Sequence, residues 1–166
     1  MYFAGNLDHQ LLARLALSAL CVIQGVTQLA IDTGRTHATN PVWARHARFH
    51  VVWQSVTVAI LSGVELALLW YRGFPRDAAF YLAVLLAAVS PLAFFVALAT
   101  RKRYDGALSD PNGMRACAFG TGHRTFSVDL NVVAISVAVL ALAAIVVLYQ
   151  HSGSGCWITR SGVVAG

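Results

Sequence analysis

Charge is scarce in this chain. Only 11% of its 166 residues are Asp, Glu, Lys or Arg, against 58% that are hydrophobic. A soluble domain of this length needs more charge than that to cover its surface, so the composition reads as an integral membrane protein. Cysteine is sparse too. Cys21, Cys117 and Cys156 form no CxxC pair and no close metal spacing, which argues against disulfide exchange. The net charge of +5 comes from short loops, and no basic run is interleaved with aromatics. The excess therefore reflects membrane topology, and no nucleic-acid partner is expected. The first residues lack the basic region of a signal peptide, and the apolar run after Asp8 is long enough to span. It is read as an uncleaved first helix.

What the chain does have is long hydrophobic runs. A bilayer core needs about 20 apolar residues in a helix. Four segments qualify, at about 10–31, 48–70, 78–100 and 127–150. The expected fold is an all-α, four-helix transmembrane bundle forming one domain over 1–150, with a Gly/Ser-rich flexible tail over 151–166. Pro91 in span 3 removes a backbone hydrogen bond and should kink the helix. Trp70, Tyr71, Phe74 and Tyr81 suit an interfacial aromatic belt.

Four spans put loops 1 and 3 on one side of the membrane. Those loops hold Arg35, Arg45, Arg48, Arg101, Lys102, Arg103, Arg115 and Arg124; the other side holds Arg14, Arg72, Arg76 and Arg160. The positive-inside rule then predicts a multi-pass protein of the inner (plasma) membrane. Loops 1 and 3 would be cytoplasmic and both termini non-cytoplasmic.

The polar residues of the spans are patterned. Gln24, Gln28 and Asp32 are spaced i, i+4, i+8, and so are His46, His50 and Gln54. Residues four apart share a helix face. Span 4 begins on the same side with His123, Ser127, Asp129 and Asn131, so the sequence predicts one polar site in that half of the bundle. The opposite face has little comparable chemistry. Glu65 lies on nearly the azimuth of His50, but fifteen residues at about 1.5 Å each put it about 22 Å away, too far to touch the same group.

The densest chemistry lies in loop 1 and the start of span 2. Asn40-Pro41 suits a helix start, with Asn40 as cap and Pro41 in the first turn. His46 and His50 are candidate proton-transfer groups, with Asp32, Asp129 and His123 as partners that orient an imidazole. Gln24, Gln28, Gln54 and Asn40 would orient a substrate, and Trp43 and Trp53 would line the mouth. Bland alternatives stand beside these roles. The tryptophans suit interfacial anchoring, the glutamines suit interhelical hydrogen bonds, and Asp129 suits the first turn of span 4 with Ser127 as cap. A second function places a transition metal or haem on His46 and His50, with His37 as a further ligand, for redox chemistry. A third makes the chain a non-catalytic subunit of a membrane complex. The small residues Ala87, Ala88 and Ser90 on span 3 suit pairing with a second copy or a partner subunit.

The block His37-x-x-Asn40-Pro41-x-Trp43-x-x-His46-Ala47-Arg48-Phe49-His50-x-x-Trp53 resembles a segment of bacterial four-span integral membrane proteins. The four-span arrangement as a whole resembles the DoxX-like proteins and the sterol-isomerase/sigma-2-receptor group. That second resemblance implies a membrane cavity for sterols or similar lipids, with acids and a tryptophan managing a carbocation. This chain departs from the pattern, because its only deep acid is Glu65. The resemblance then implies a general lipophilic pocket and not sterol isomerisation.

Overall fold

The computed structural model describes residues 9–119 and 126–151. Its helices are α1 (His9–Asp32), α2 (Arg45–Trp70), α3 (Arg76–Thr100) and α4 (Leu130–His151). All four are long and apolar enough to cross a membrane, so the chain is a multi-pass, all-α four-helix bundle. The helices form a ring in chain order. α1 packs on α2 and α4, α3 packs on the same two, and the α1–α3 diagonal scarcely touches. The tail from 152 onward and His123 lie outside the described residues.

Two expectations about helix ends change. α2 begins at Arg45 rather than near Pro41. The Asn40 side chain accepts a hydrogen bond from Val42 N at 3.0 Å, and Trp43 N donates to the Asn40 carbonyl at 3.3 Å. Proline therefore occupies the second position of a tight turn, not the first turn of the helix. Arg48 then fastens the turn to α2, donating to the carbonyls of Trp43 and Pro41 at 3.0 and 2.9 Å. α4 begins at Leu130, and its cap is Asp129, not Ser127. The Asp129 carboxylate accepts from Asn131 N at 2.9 Å and Val132 N at 3.3 Å. Ser127 belongs to a short antiparallel hairpin of β1 (Cys117–Phe119) and β2 (Phe126–Val128). α3 is one helix from Arg76 to Thr100, with the buried Pro91 inside it.

The buried core is confined to one half of the bundle. It comprises Ala13, Leu17 and Cys21 on α1, Leu69 on α2, Phe80, Ala83 and Ala87 on α3, and Leu142, Ile145 and Tyr149 on α4. All lie toward the end that carries the α2–α3 turn. Tyr149 stacks on Phe80 with centroids 3.7 Å apart and donates to Asp77 Oδ1 at 2.6 Å. Arg14 donates to the Leu69 carbonyl and covers the Trp70 ring, while Trp70 Nε1 donates to Ser18 Oγ at 2.9 Å. Small residues let α1 and α2 approach closely. A Cβ on Gly25 would lie 2.8 Å from Ser62 Oγ. In lipid this packing, not the hydrophobic effect, holds helices together. Ala87 is part of this core, Ala88 packs against it and Ser90 is half-buried, so the small-residue face of α3 is turned inward.

Toward the loop-1/loop-3 end the helices bury little against one another. Asp32, Asn40 and Ser55 are the polar residues buried there. The space between them is a cavity.

Candidate functional site

The cavity has a volume of about 690 Å³. Its polar lining comes from Gln24 and Gln28 on α1, from His50, Gln54, Thr57 and Glu65 on α2, and from Ser90 on α3. Leu86, Val89, Ala93 and Phe94 of α3 and Ile135 of α4 supply apolar wall. The exposed members of the lining are His50, Trp53, Gln54 and Thr57 on α2 and Val89, Ala93 and Ala97 on α3. The cavity therefore opens sideways between these two helices, in the direction of the lipid. An apolar pocket with a few convergent polar groups has the general form of a small-molecule site.

The four-residue stripes place Gln24, Gln28, His50 and Gln54 at this cavity, and Trp53 joins them. Asp32 stands behind them. It is 6% exposed, and its Oδ2 accepts from Gln28 Nε2 at 2.5 Å, so it orients a glutamine rather than an imidazole. His46 and His50 face each other with Nε2 atoms 3.0 Å apart. Only one of these nitrogens can carry the hydrogen of that bond, so the pair fixes complementary tautomers. Trp53 lies over His50 with centroids 5.8 Å apart and planes inclined by 30°. His50 thus reaches the mouth of the cavity, and His46 stands one helical turn behind it.

The other predicted residues go elsewhere. His37 and Trp43 line a separate loop pocket of about 480 Å³ with Asp105, Asp110 and Asn131. There His37 Nδ1 lies 2.9 Å from Thr36 Oγ1 and its ring meets Trp43 edge-on at 5.2 Å. Among the described residues no three His, Cys, Asp or Glu side chains gather as a metal-binding group, so His37 does not join the His46–His50 pair. Asp129 is occupied as a helix cap. Asn40 acts as a latch between loops. It is 2% exposed, and its Nδ2 donates to the Asn112 carbonyl at 2.5 Å. Asn40→Ala should therefore loosen loop 3 from loop 1, at a cost of about 1–3 kcal/mol. The check is amide hydrogen exchange across 107–114, which should quicken in the variant. Unchanged protection would show that the latch is dispensable.

Two features escaped the sequence. Glu65 lines the same cavity as His50, although about 22 Å of helix separates them. The distance was sound, but a cavity running lengthwise along α2 joins groups that cannot touch. The signal was the shared azimuth of positions 50, 54, 61 and 65. The opposite end of the bundle is also less bare than expected. Arg14, Arg72 and Arg76 line a third pocket, of about 370 Å³, with Trp70 and Phe80. Arg14 was legible there as an arginine placed inside a span. No protein-family model, curated protein or solved structure matches the chain.

Proposed function

We propose that this protein is a membrane-embedded binder of, or enzyme acting on, a small lipophilic molecule held in the α2–α3 cavity. One observation carries the reading. A cavity of about 690 Å³ with largely apolar walls receives Gln24, Gln28, His50 and Gln54 together at one end. The sideways opening gives a hydrophobic ligand a route from the bilayer that does not pass through water. The glutamines present donors and acceptors to a polar group on the ligand. Asp32 fixes the aim of one of them by taking a hydrogen bond from Gln28. His50 acts as the proton donor or acceptor, with His46 able to exchange that proton through the facing nitrogens. The resemblance to four-span lipid-pocket families agrees with this at the level of architecture. The membrane is the bacterial inner membrane, with loops 1 and 3 cytoplasmic, because those loops carry most of the basic residues.

The His46–His50 geometry also favours a second reading. Two exposed nitrogens 3.0 Å apart can share one transition-metal ion, given metal–nitrogen distances of about 2.0 Å. A bound metal would supply Lewis-acid or redox chemistry at the mouth; the adjacent nitrogens do not fit the opposed axial positions of a haem iron.

The test is purification in mild detergent, followed by mass spectrometry of extracted lipids and measurement of metal content. The expected result is one lipophilic species enriched over the bulk membrane extract, and reduced about tenfold in a Gln24→Leu/Gln28→Leu variant. A lipid profile matching the bulk extract would sink the cavity reading. Stoichiometric metal lost in a His46→Ala/His50→Ala variant would promote the second.

A further inference from the structure

The far end of the cavity holds a group that the proposed function does not use. Glu65 is 1% exposed, lines the cavity, and has an Oε2 atom with no hydrogen-bond partner. The Cys21 thiol lies against the same carboxyl group from α1, and Ser62 on the adjacent turn donates to its own helix, to the Val58 carbonyl at 3.0 Å. A buried polar atom left unpaired is destabilising, and native proteins keep few of them. At the wall of a cavity, a ligand is one partner that could complete such a group.

The walls say what kind. No Lys or Arg lines the cavity, and between Gln54 and Glu65 the α2 wall is Thr57, Val58 and Leu61. An anionic head group would meet no opposing charge there, and a cationic one would have to be stripped of water along that apolar stretch before it reached Glu65. An uncharged hydroxyl on a hydrocarbon chain meets no such obstacle. At the end it finds a carboxyl oxygen ready to accept its hydrogen.

Resting on the cavity reading above, we propose that Glu65 recognises the buried end of the ligand and that this end is a neutral hydroxyl group. The ligand is then an elongated lipophilic alcohol. Its chain lies along α2 between Glu65 and the Gln54–His50 mouth, a stretch of about 22 Å.

The experiment is native mass spectrometry of the full chain in detergent, titrated with 1-hexadecanol, hexadecane and hexadecylamine. Wild type, Glu65→Gln and Glu65→Leu are compared, with circular dichroism as the check on folding. The alcohol should bind wild type about tenfold more tightly than the alkane. Glu65→Gln, which keeps an acceptor oxygen at the same place, should stay within about threefold of wild type. Glu65→Leu should bring the alcohol down to the alkane. Equal binding of alcohol and alkane to wild type would overturn the role of Glu65 while leaving the cavity reading intact. So would an alcohol preference that survives Glu65→Leu. Preference for the amine, lost in Glu65→Gln, would overturn the neutral ligand. If neither alcohol nor alkane binds wild type, the cavity reading itself fails and this proposal falls with it. The wild-type comparison decides even if Glu65→Leu does not fold.

Discussion

Ala93→Trp is expected to lower ligand occupancy about a hundredfold and leave the bundle folded. Ala93 lies on the α3 wall of the cavity and is exposed at its sideways opening. An indole there occupies space that a ligand must enter and blocks the route from the bilayer. A hundredfold loss corresponds to about 2.7 kcal/mol, a modest demand on a bulky aromatic placed in a binding site. Stability should hold, because the core residues that close the bundle lie in the opposite half, from Ala13 to Cys21, Phe80 to Ala87 and Leu142 to Tyr149. The measurement pairs a thermal melt in detergent with quantification of the co-purified lipophilic molecule. Undiminished occupancy in a folded variant would mean that the ligand sits elsewhere.

Gly25→Val should have the largest effect on stability. Glycine inside a helix costs about 1 kcal/mol relative to alanine, so its presence calls for a local reason. Here the reason is the α1–α2 crossing. A Cβ at position 25 would sit 2.8 Å from Ser62 Oγ, 2.9 Å from Ser62 Cβ and 3.6 Å from the Ala59 Cα. The last contact is backbone and cannot rotate away, and valine adds two further methyls. Overpacking of this kind costs about 1–3 kcal/mol, and the rigid surroundings place this case at the upper end. For a chain of this size the melting midpoint should fall by about 5–10 °C. A Ser62→Gly change should recover part of the loss, and the double-mutant cycle measures the coupling. A Gly25→Val protein that melts with wild type would show that the two helices do not approach as closely as described.

The spans were readable because a bilayer imposes length and apolarity directly on sequence. The stripes were readable for a related reason: Gln24, Gln28, His50 and Gln54 keep a four-residue spacing, which fixes the face of a helix before any partner is known. What could not be read depended on contacts between distant segments. Asn40 carries a cap signature, but its amide reaches Asn112, 72 positions away, and that contact turns a helix start into a loop latch. Trp43 and His37 were expected beside His46 and His50, yet the turn at Asn40–Trp43 carries them into a different pocket. The hairpin strands are three residues each, too short to show a period. The place of Glu65 in the cavity is not legible from its distance to His50, because spacing along a helix does not reveal how far a cavity runs beside it.

The one-sided core also bears on how such a protein changes over generations. The residues that hold the four helices together and those that line the cavity are different sets, the core lying toward the α2–α3 turn and the cavity reaching from His50 to the edge of that core at Glu65. Most substitutions destabilise, and a protein discards those that carry it below its threshold of stability. Here the wall of the cavity is spared much of that penalty, since Val89, Ala93 and Phe94 support no part of the closed end. If the cavity holds the proposed ligand, its preference is free to drift while the fold is kept, and one scaffold would serve a succession of hydrophobic molecules.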